Sequence, residues 1–224
     1  MILAFGNKAR HGKDTACEAI LNYYTGLNKE LAKHYGSPVG STRVKRVNFA
    51  DALKQEVNKG IEQTGSIENL LAEMRKSNLF QVPDWVQPEP IPGMDDPQCP
   101  LGKHPKVLQW WGTEYRRAEN QNYWIDKWKE QVSNFKGIVV CGDLRFWNEA
   151  EGVKELGGYT VNVERLNPEG TRFFATDRQK DHISETQLDG FNFDFYIKVA
   201  TGHVALVEQQ AITLAEYLLA LERK

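Results

Sequence analysis

The chain is expected to fold as an α/β protein in which helices cover both faces of a mainly parallel sheet. Short apolar runs of about four to eight residues alternate with longer stretches whose apolar residues recur at helical spacing. The strongest run, GIVVCGD (Gly137–Asp143), is almost continuously hydrophobic, as a strand buried on both faces must be. Strands that alternate with helices pair in parallel, because each helix carries the chain back to the starting edge.

The elements follow in order. Ile2–Phe5 is apolar and stops at a glycine, which reads as a first buried strand. A helix should start near Lys13, with Ala16, Ile20, Leu21 and Tyr24 on one face. The composition of Gly36–Ser41 is that of a loop. Arg43–Phe49 reads as a second strand, and Ala50–Gln63 as a helix with Leu53, Val57 and Ile61 aligned. From about Val82 to Pro105, the run VPDWVQPEPIPGMDDPQCPLGKHP holds too much proline for regular structure. A loop this long inside a compact domain is either functional or disordered, and it reads as an insertion rather than a boundary. Lys106–Phe135 regains helical character, Gly137–Asp143 is the third strand, and Asn148–Leu156 is a short helix. Tyr159–Val163 alternates as a strand, Asn167–Asp189 is polar, Phe193–Ala200 is a last strand, and Val204–Arg223 closes as an amphipathic helix. No internal repeat is visible, and residues 1–224 read as one domain.

Bulk properties exclude several classes. Net charge is −2 with 26% charged residues, which argues against a general polyanion binder. Three widely spaced cysteines (Cys17, Cys99 and Cys141) do not form a disulfide framework and fit a reducing compartment. MILAFGNKARHGK has no leading basic cluster and is not a signal peptide, and no apolar run reaches the roughly 18 residues that span a bilayer. The expectation is a soluble protein.

The chemistry is concentrated first in GNKARHGKDT. A phosphate-binding loop converges backbone N–H groups and a helix N-terminus on an anion, with one lysine reaching the outer phosphates. Here Asn7 takes the position of the opening glycine, with Lys8, Ala9, Arg10 and His11 inside the loop before Gly12 and Lys13. Asparagine tolerates left-handed backbone, so the substitution keeps the loop's physics. Asp14 replaces the usual hydroxyl residue and Thr15 follows, so either of the two serves a metal. The third strand ends in Asp143, an acid of the kind that faces the phosphate crevice at the carboxyl edge of a sheet. Arg145 and Glu149 follow within the same turn.

GKDT, FADALK (Phe49–Lys54), WGTEYRR (Trp111–Arg117) with Tyr123-Trp124, GDLRFWNEAE (Gly142–Glu151) with Gly157-Gly158, and DHISE (Asp181–Glu185) occur in that order. Together they resemble the deoxynucleoside monophosphate kinases of tailed bacteriophages, in the P-loop kinase group, over nearly the whole chain. The resemblance implies a three-layer fold with a five-stranded parallel core, a lid at about 167–189 and the proline-rich insertion at about 82–105. It also implies ATP with Mg²⁺, and γ-phosphoryl transfer to a deoxynucleoside 5′-monophosphate for phage DNA synthesis in the host cytoplasm. ATP phosphates would lie on Lys8–Thr15, Arg172 and Arg178 would be the lid arginines, and Lys13 and Asp143 would join them in catalysis. The acceptor would draw on Asp51, Lys54, Arg116, Arg117, Trp124, Asp143, Arg145 and Glu149. Trp124 either stacks on a base or fills the core, and Asp143 either helps hold Mg²⁺ or orients the acceptor sugar.

His182 reads as a structural hydrogen-bonder, and Cys99 with His104 gives too few ligands for zinc. The proline-rich segment is a lid, a homodimer contact or surface chain. Two other functions compete. A related kinase acting on a hydroxymethylated pyrimidine within DNA would need a basic, aromatic path, for which the tryptophans and the WKEQ and YRR charges are the support. A nucleotide-binding module without catalysis would explain the missing loop glycine and Asp14, but not the retention of Lys13 and Asp143. Kinases of phosphomevalonate or dephospho-coenzyme A share similar loops but leave WGTEYRR and DLRFWNEAE unexplained.

Overall fold

The computed structural model describes residues 1–35, 42–77, 81–90, 99–175 and 183–222. Within them the chain forms two compact units, Met1–Asn48 with Lys129–Lys224, and Phe49–Trp128.

The first unit is built on five strands, β1 (Ile2–Gly6), β2 (Val44–Arg46), β3 (Ile138–Leu144), β4 (Tyr159–Leu166) and β5 (Phe195–Ala200). They form one sheet in the order β2-β3-β1-β4-β5, and every pairing is parallel. The expected α/β class and parallel sheet are therefore present. Beside β1, the central strand, the chain reverses its direction of travel across the sheet, between β3 on one side and β4 on the other. Such a switch point leaves a crevice at the carboxyl ends of the strands. All five residues of β1 are buried.

Side chains alternate along β1, so Leu3 and Phe5 face one side of the sheet and Ile2 and Ala4 the other. Leu3, Phe5, Val140, Val161 and Val163 form a core with Ala16, Cys17 and Ile20 of α1 (Lys13–Tyr35) and Ala211, Ala215 and Leu218 of α9 (Val204–Glu222). Burying a residue such as Phe5 or Ile20 contributes about 1.5–3 kcal/mol. On the opposite face, α7 (Trp147–Glu155) brings Val153 against the Ile2 side, so tightly that a Cβ on Gly158 would lie 2.8 Å from Val153 and 2.9 Å from Ile2. Between β4 and β5 lies the short helix α8 (Ile183–Thr186).

The second unit is helical, with α2 (Phe49–Thr64), α3 (Ile67–Lys76), α4 (Pro105–Trp110), a π-helical turn (Trp111–Tyr115), α5 (Arg116–Glu119) and the start of α6 (Tyr123–Val132). Its core joins Val57, Ile61, Leu70, Leu71, Val107, Trp110, Trp111 and Trp124. Val82 and Val86 belong to that core, so the start of the proline-rich segment is packed rather than loose; residues 91–98 lie outside the described residues.

One expectation needs correction, and two further elements need description. The strand read over Arg43–Phe49 is only Val44–Arg46, because the Asn48 side chain accepts the Gly142 N–H and Phe49 already opens α2. The stretch after Gln63 holds α3, which starts where Ser66 accepts the Asn69 N–H at 3.1 Å and caps the helix. By length and composition alone α9 passes for a membrane span, with a mean hydropathy of 1.3 over 18 residues, but Glu208, Gln209, Gln210 and Glu216 interrupt it, so it is not a continuous apolar run. One face of α9 is committed to the core through Val207, Ala211, Ala215 and Leu218.

All three cysteines are free and buried, and burial pushes the Cys17 and Cys141 thiols up. The loop read at Gly36–Ser41 lies outside the described residues.

Candidate functional site

The turn from β1 into α1 holds three positive φ angles, at Asn7 (103°), Arg10 (60°) and Gly12 (97°). Asn7 sits where a glycine would be easiest, and its side chain anchors it. Nδ2 donates to Asn162 Oδ1 at 2.9 Å and to the Val163 carbonyl at 3.2 Å, both on the neighbouring strand β4. Two such bonds offset a left-handed penalty of about 1–2 kcal/mol. Gly6 before it has no room for a side chain, since a Cβ would fall 2.8 Å from Phe193.

His11 is buried inside the loop. Its Nδ1 accepts the Arg165 N–H at 3.2 Å, which leaves Nε2 to donate to the Phe173 carbonyl at 3.0 Å. Burial first of all, with the nearby charges of Lys13 and Arg172, lowers its pKa, so it stays neutral and acts as a strut from the loop to β4.

Lys13 opens α1, is 4% exposed, and turns its Nζ back onto the Lys8 carbonyl. Burial, and then the charge of Arg145, lower its pKa to about 7, while Asp14, Glu185 and Asp143 pull the other way. An ammonium held this weakly charged gains its full charge when an anion arrives. Lys8 is also buried; its Nζ donates to the Glu185 carbonyl and lies 2.6 Å from Asp189 Oδ1.

Asp14 is not free to serve a metal unassisted. Arg46 of β2 binds its carboxylate and reaches Glu18 at 2.9 Å. Thr15, the alternative, lies one residue further along α1. Among the described residues no three His, Cys, Asp or Glu side chains form a metal cluster. Magnesium does not require one, since it is commonly held by one or two protein groups and substrate phosphates.

The end of β3 delivers the second half of the site. Asp143 Oδ1 accepts from Cys141 Sγ at 3.2 Å. Arg145 Nη1 donates to the Asn7 carbonyl at 3.1 Å and to Glu185 Oε1 at 2.8 Å. Glu149, at the start of α7, accepts the N–H groups of Arg145 (2.8 Å) and Phe146 (3.1 Å), which fixes the turn that aims Arg145. The structure thus brings together Asn7, Lys8, Ala9, Lys13, Arg145 and Glu149 from the expected set.

Arg172 is engaged by Glu164 at 2.6 Å, and its Nη1 is 3.8 Å from Asp189, the partner of Lys8. Arg178 and His182 lie outside the described residues. The remaining expected residues belong to the second unit. There Arg116 is 2.6 Å from Glu56 Oε1 and lies over the rings of Tyr115 (4.7 Å) and Tyr123 (5.0 Å). Glu56 also accepts from Trp111 Nε1 (2.9 Å) and Tyr123 Oη (2.8 Å). Trp124 fills the core, with its Nε1 donating to the Gly112 carbonyl at 2.9 Å. Arg117 is buried, with Nη1 3.3 Å from the Gln121 carbonyl, and Asp51 is buried in the first turn of α2 with Lys54 one turn on. A π-helical turn under WGTEY is the kind of local irregularity that often marks a functional position.

Sequence reasoning missed Glu185 and Glu56. Glu185 lies in DHISE beside the histidine that drew attention, and only the fold carries it to the loop 176 positions away. Comparison with protein-family models gave no match, and comparison with curated proteins gave none either.

Proposed function

We propose that the protein is a P-loop kinase that transfers the γ-phosphoryl group of ATP to a deoxynucleoside 5′-monophosphate, on the three-layer fold of that group. The observation that carries this reading is the β1–α1 turn, in which Asn7, Arg10 and Gly12 have positive φ and Lys13 is buried at the helix start. Backbone N–H groups of such a turn and the N-terminus of α1 suit a polyphosphate. The parallel sheet with its switch point at β1 supports the same place for the ligand.

In this reading Lys13 and Arg145 supply positive charge to the oxygens that gain charge during transfer. Thr15 and Asp143 would hold Mg²⁺ with the phosphates, and the ion would offset the repulsion between nucleotide and acceptor. An oxygen of the acceptor monophosphate attacks the γ-phosphorus, the bond to the bridging oxygen breaks, and ADP leaves. The acceptor's second pKa is about 6, so it is largely ionised at neutral pH and needs no strong base. On the resemblance, Asp51, Lys54, Arg116 and Arg117 remain the residues proposed for the acceptor.

A second reading, transfer to a hydroxymethylated pyrimidine within DNA, is favoured by one observation. Trp147, two residues after Arg145, is 44% exposed and packs edge-on against Phe191 at 5.0 Å, and the side chain of Tyr196 is exposed as well. Exposed aromatic rings stack on bases of any sequence.

ATP consumption with Mg²⁺ should be measured against the deoxynucleoside monophosphates, their hydroxymethylated analogues, and DNA with and without hydroxymethyluracil. Turnover on free monophosphates, lost by about a hundred- to a thousandfold in Lys13→Ala with the circular dichroism spectrum unchanged, is the expected result. Transfer only to modified DNA selects the second reading, and near-normal turnover of Lys13→Ala rejects both.

A further inference from the structure

We infer that Glu185 is a built-in anion that occupies the loop's phosphate position and must be displaced when a polyphosphate binds. The inference rests on the phosphate-loop reading above and adds to it how the site is regulated. Glu185 Oε2 accepts the Ala9 backbone N–H at 2.8 Å, and Oε1 accepts Arg145 Nη1 at 2.8 Å. The side chain is only 10% exposed, and that of Arg145 21%. A loop amide and a guanidinium converging on one carboxylate form the donor set that a phosphate oxygen takes in such a loop.

The rest of the segment is tied down in the same place. The Glu185 backbone carbonyl accepts Lys8 Nζ, and Lys8 also pairs with Asp189 at 2.6 Å. Arg145, held by Glu185, reaches the Asn7 carbonyl with the same nitrogen. Glu185 therefore clasps three consecutive loop residues, two directly and one through Arg145. A triphosphate cannot take the Ala9 N–H and Arg145 while the carboxylate holds them. Its arrival sends Glu185 away and transfers Arg145 from an internal anion to the ligand. The clasp keeps the loop preformed, and it makes every anion compete with a tethered one.

The test is binding of tripolyphosphate, MgATP and adenosine to wild type and to Glu185→Gln by titration calorimetry. Glutamine keeps the shape and an acceptor for Ala9 but removes the charge. Tripolyphosphate and MgATP should both bind about tenfold more tightly to the variant, since a charge-assisted competitor has been removed, while adenosine is unaffected. Equal or weaker polyphosphate binding by the variant, with wild type binding measurably, overturns the displaced-anion role and leaves the phosphate-loop reading standing. If neither protein binds tripolyphosphate or MgATP, the phosphate-loop reading fails and this inference fails with it. Should Glu185→Gln not fold, Glu185→Asp serves instead. Its arm is one methylene too short to reach both Ala9 and Arg145, so it too should bind polyphosphate more tightly than wild type, and the same contrary results overturn the inference.

Discussion

Asn7 holds a backbone angle of 103° that a side chain with a Cβ adopts only at a cost, and it recovers that cost through Asn162 and Val163. Two substitutions separate the contributions. Asn7→Gly should lose the two hydrogen bonds but relax the backbone, costing about 1–2 kcal/mol; Asn7→Ala keeps the strain and loses the bonds, costing about 2–4 kcal/mol. Urea unfolding of both variants checks the order, and an alanine variant as stable as the glycine variant would mean that the angle carries no strain. His11 works in the same direction from inside the loop, as an uncharged link to Arg165 and Phe173. The loop keeps its shape through side chains bonded to β4, where a glycine-rich loop would rely on backbone freedom.

At the scale of elements, the turn from β3 into α7 depends on Glu149, whose carboxylate takes two N–H groups that the helix start leaves over. Glu149→Ala should lower stability by about 1–3 kcal/mol and, on the proposed kinase reading, reduce phosphoryl transfer more than ATP binding, because Arg145 loses its aim. Unfolding curves and steady-state kinetics check this; a variant stable and fully active would remove Glu149 from the turn's support. β1 and β3 were legible because a strand buried on both faces must be apolar along its length, as in IVVCGD. The loop was legible because its spacing is local. What could not be read depends on distance in the chain. Glu185 meets Ala9 only after β4 and β5 pair, and Trp124 as core rather than stacking ring depends on the Gly112 carbonyl beneath it. The helix α3 had local signals, a Ser66 cap and Ile67, Leu70 and Leu71 on one face, but the proline-rich stretch after it obscured the boundary.

For the whole molecule, two buried bases set a pH dependence of stability. Burial lowers the Lys13 pKa to about 7, against an ordinary value near 10.4, and burial likewise lowers that of His11. Between each folded and unfolded value the unfolded chain binds more protons, so stability rises with pH there. The melting temperature of the ligand-free protein should rise from pH 6 to pH 9, with the part above pH 7 absent in Lys13→Ala. A flat profile in wild type above pH 7 would mean that Lys13 keeps an ordinary ammonium pKa in the folded chain.

The burial of all three cysteines has a practical consequence. The thiolate is the species that reacts with maleimides, and burial suppresses it at Cys17 and Cys141. The folded chain is therefore a nearly silent background for thiol chemistry, and an introduced surface cysteine will be labelled alone. One such position at Tyr196 in the first unit and one at Trp85 in the second, both exposed, would carry a donor and an acceptor dye. The two units could then be followed against each other as nucleotide is added, in a protein that keeps every cysteine it was born with.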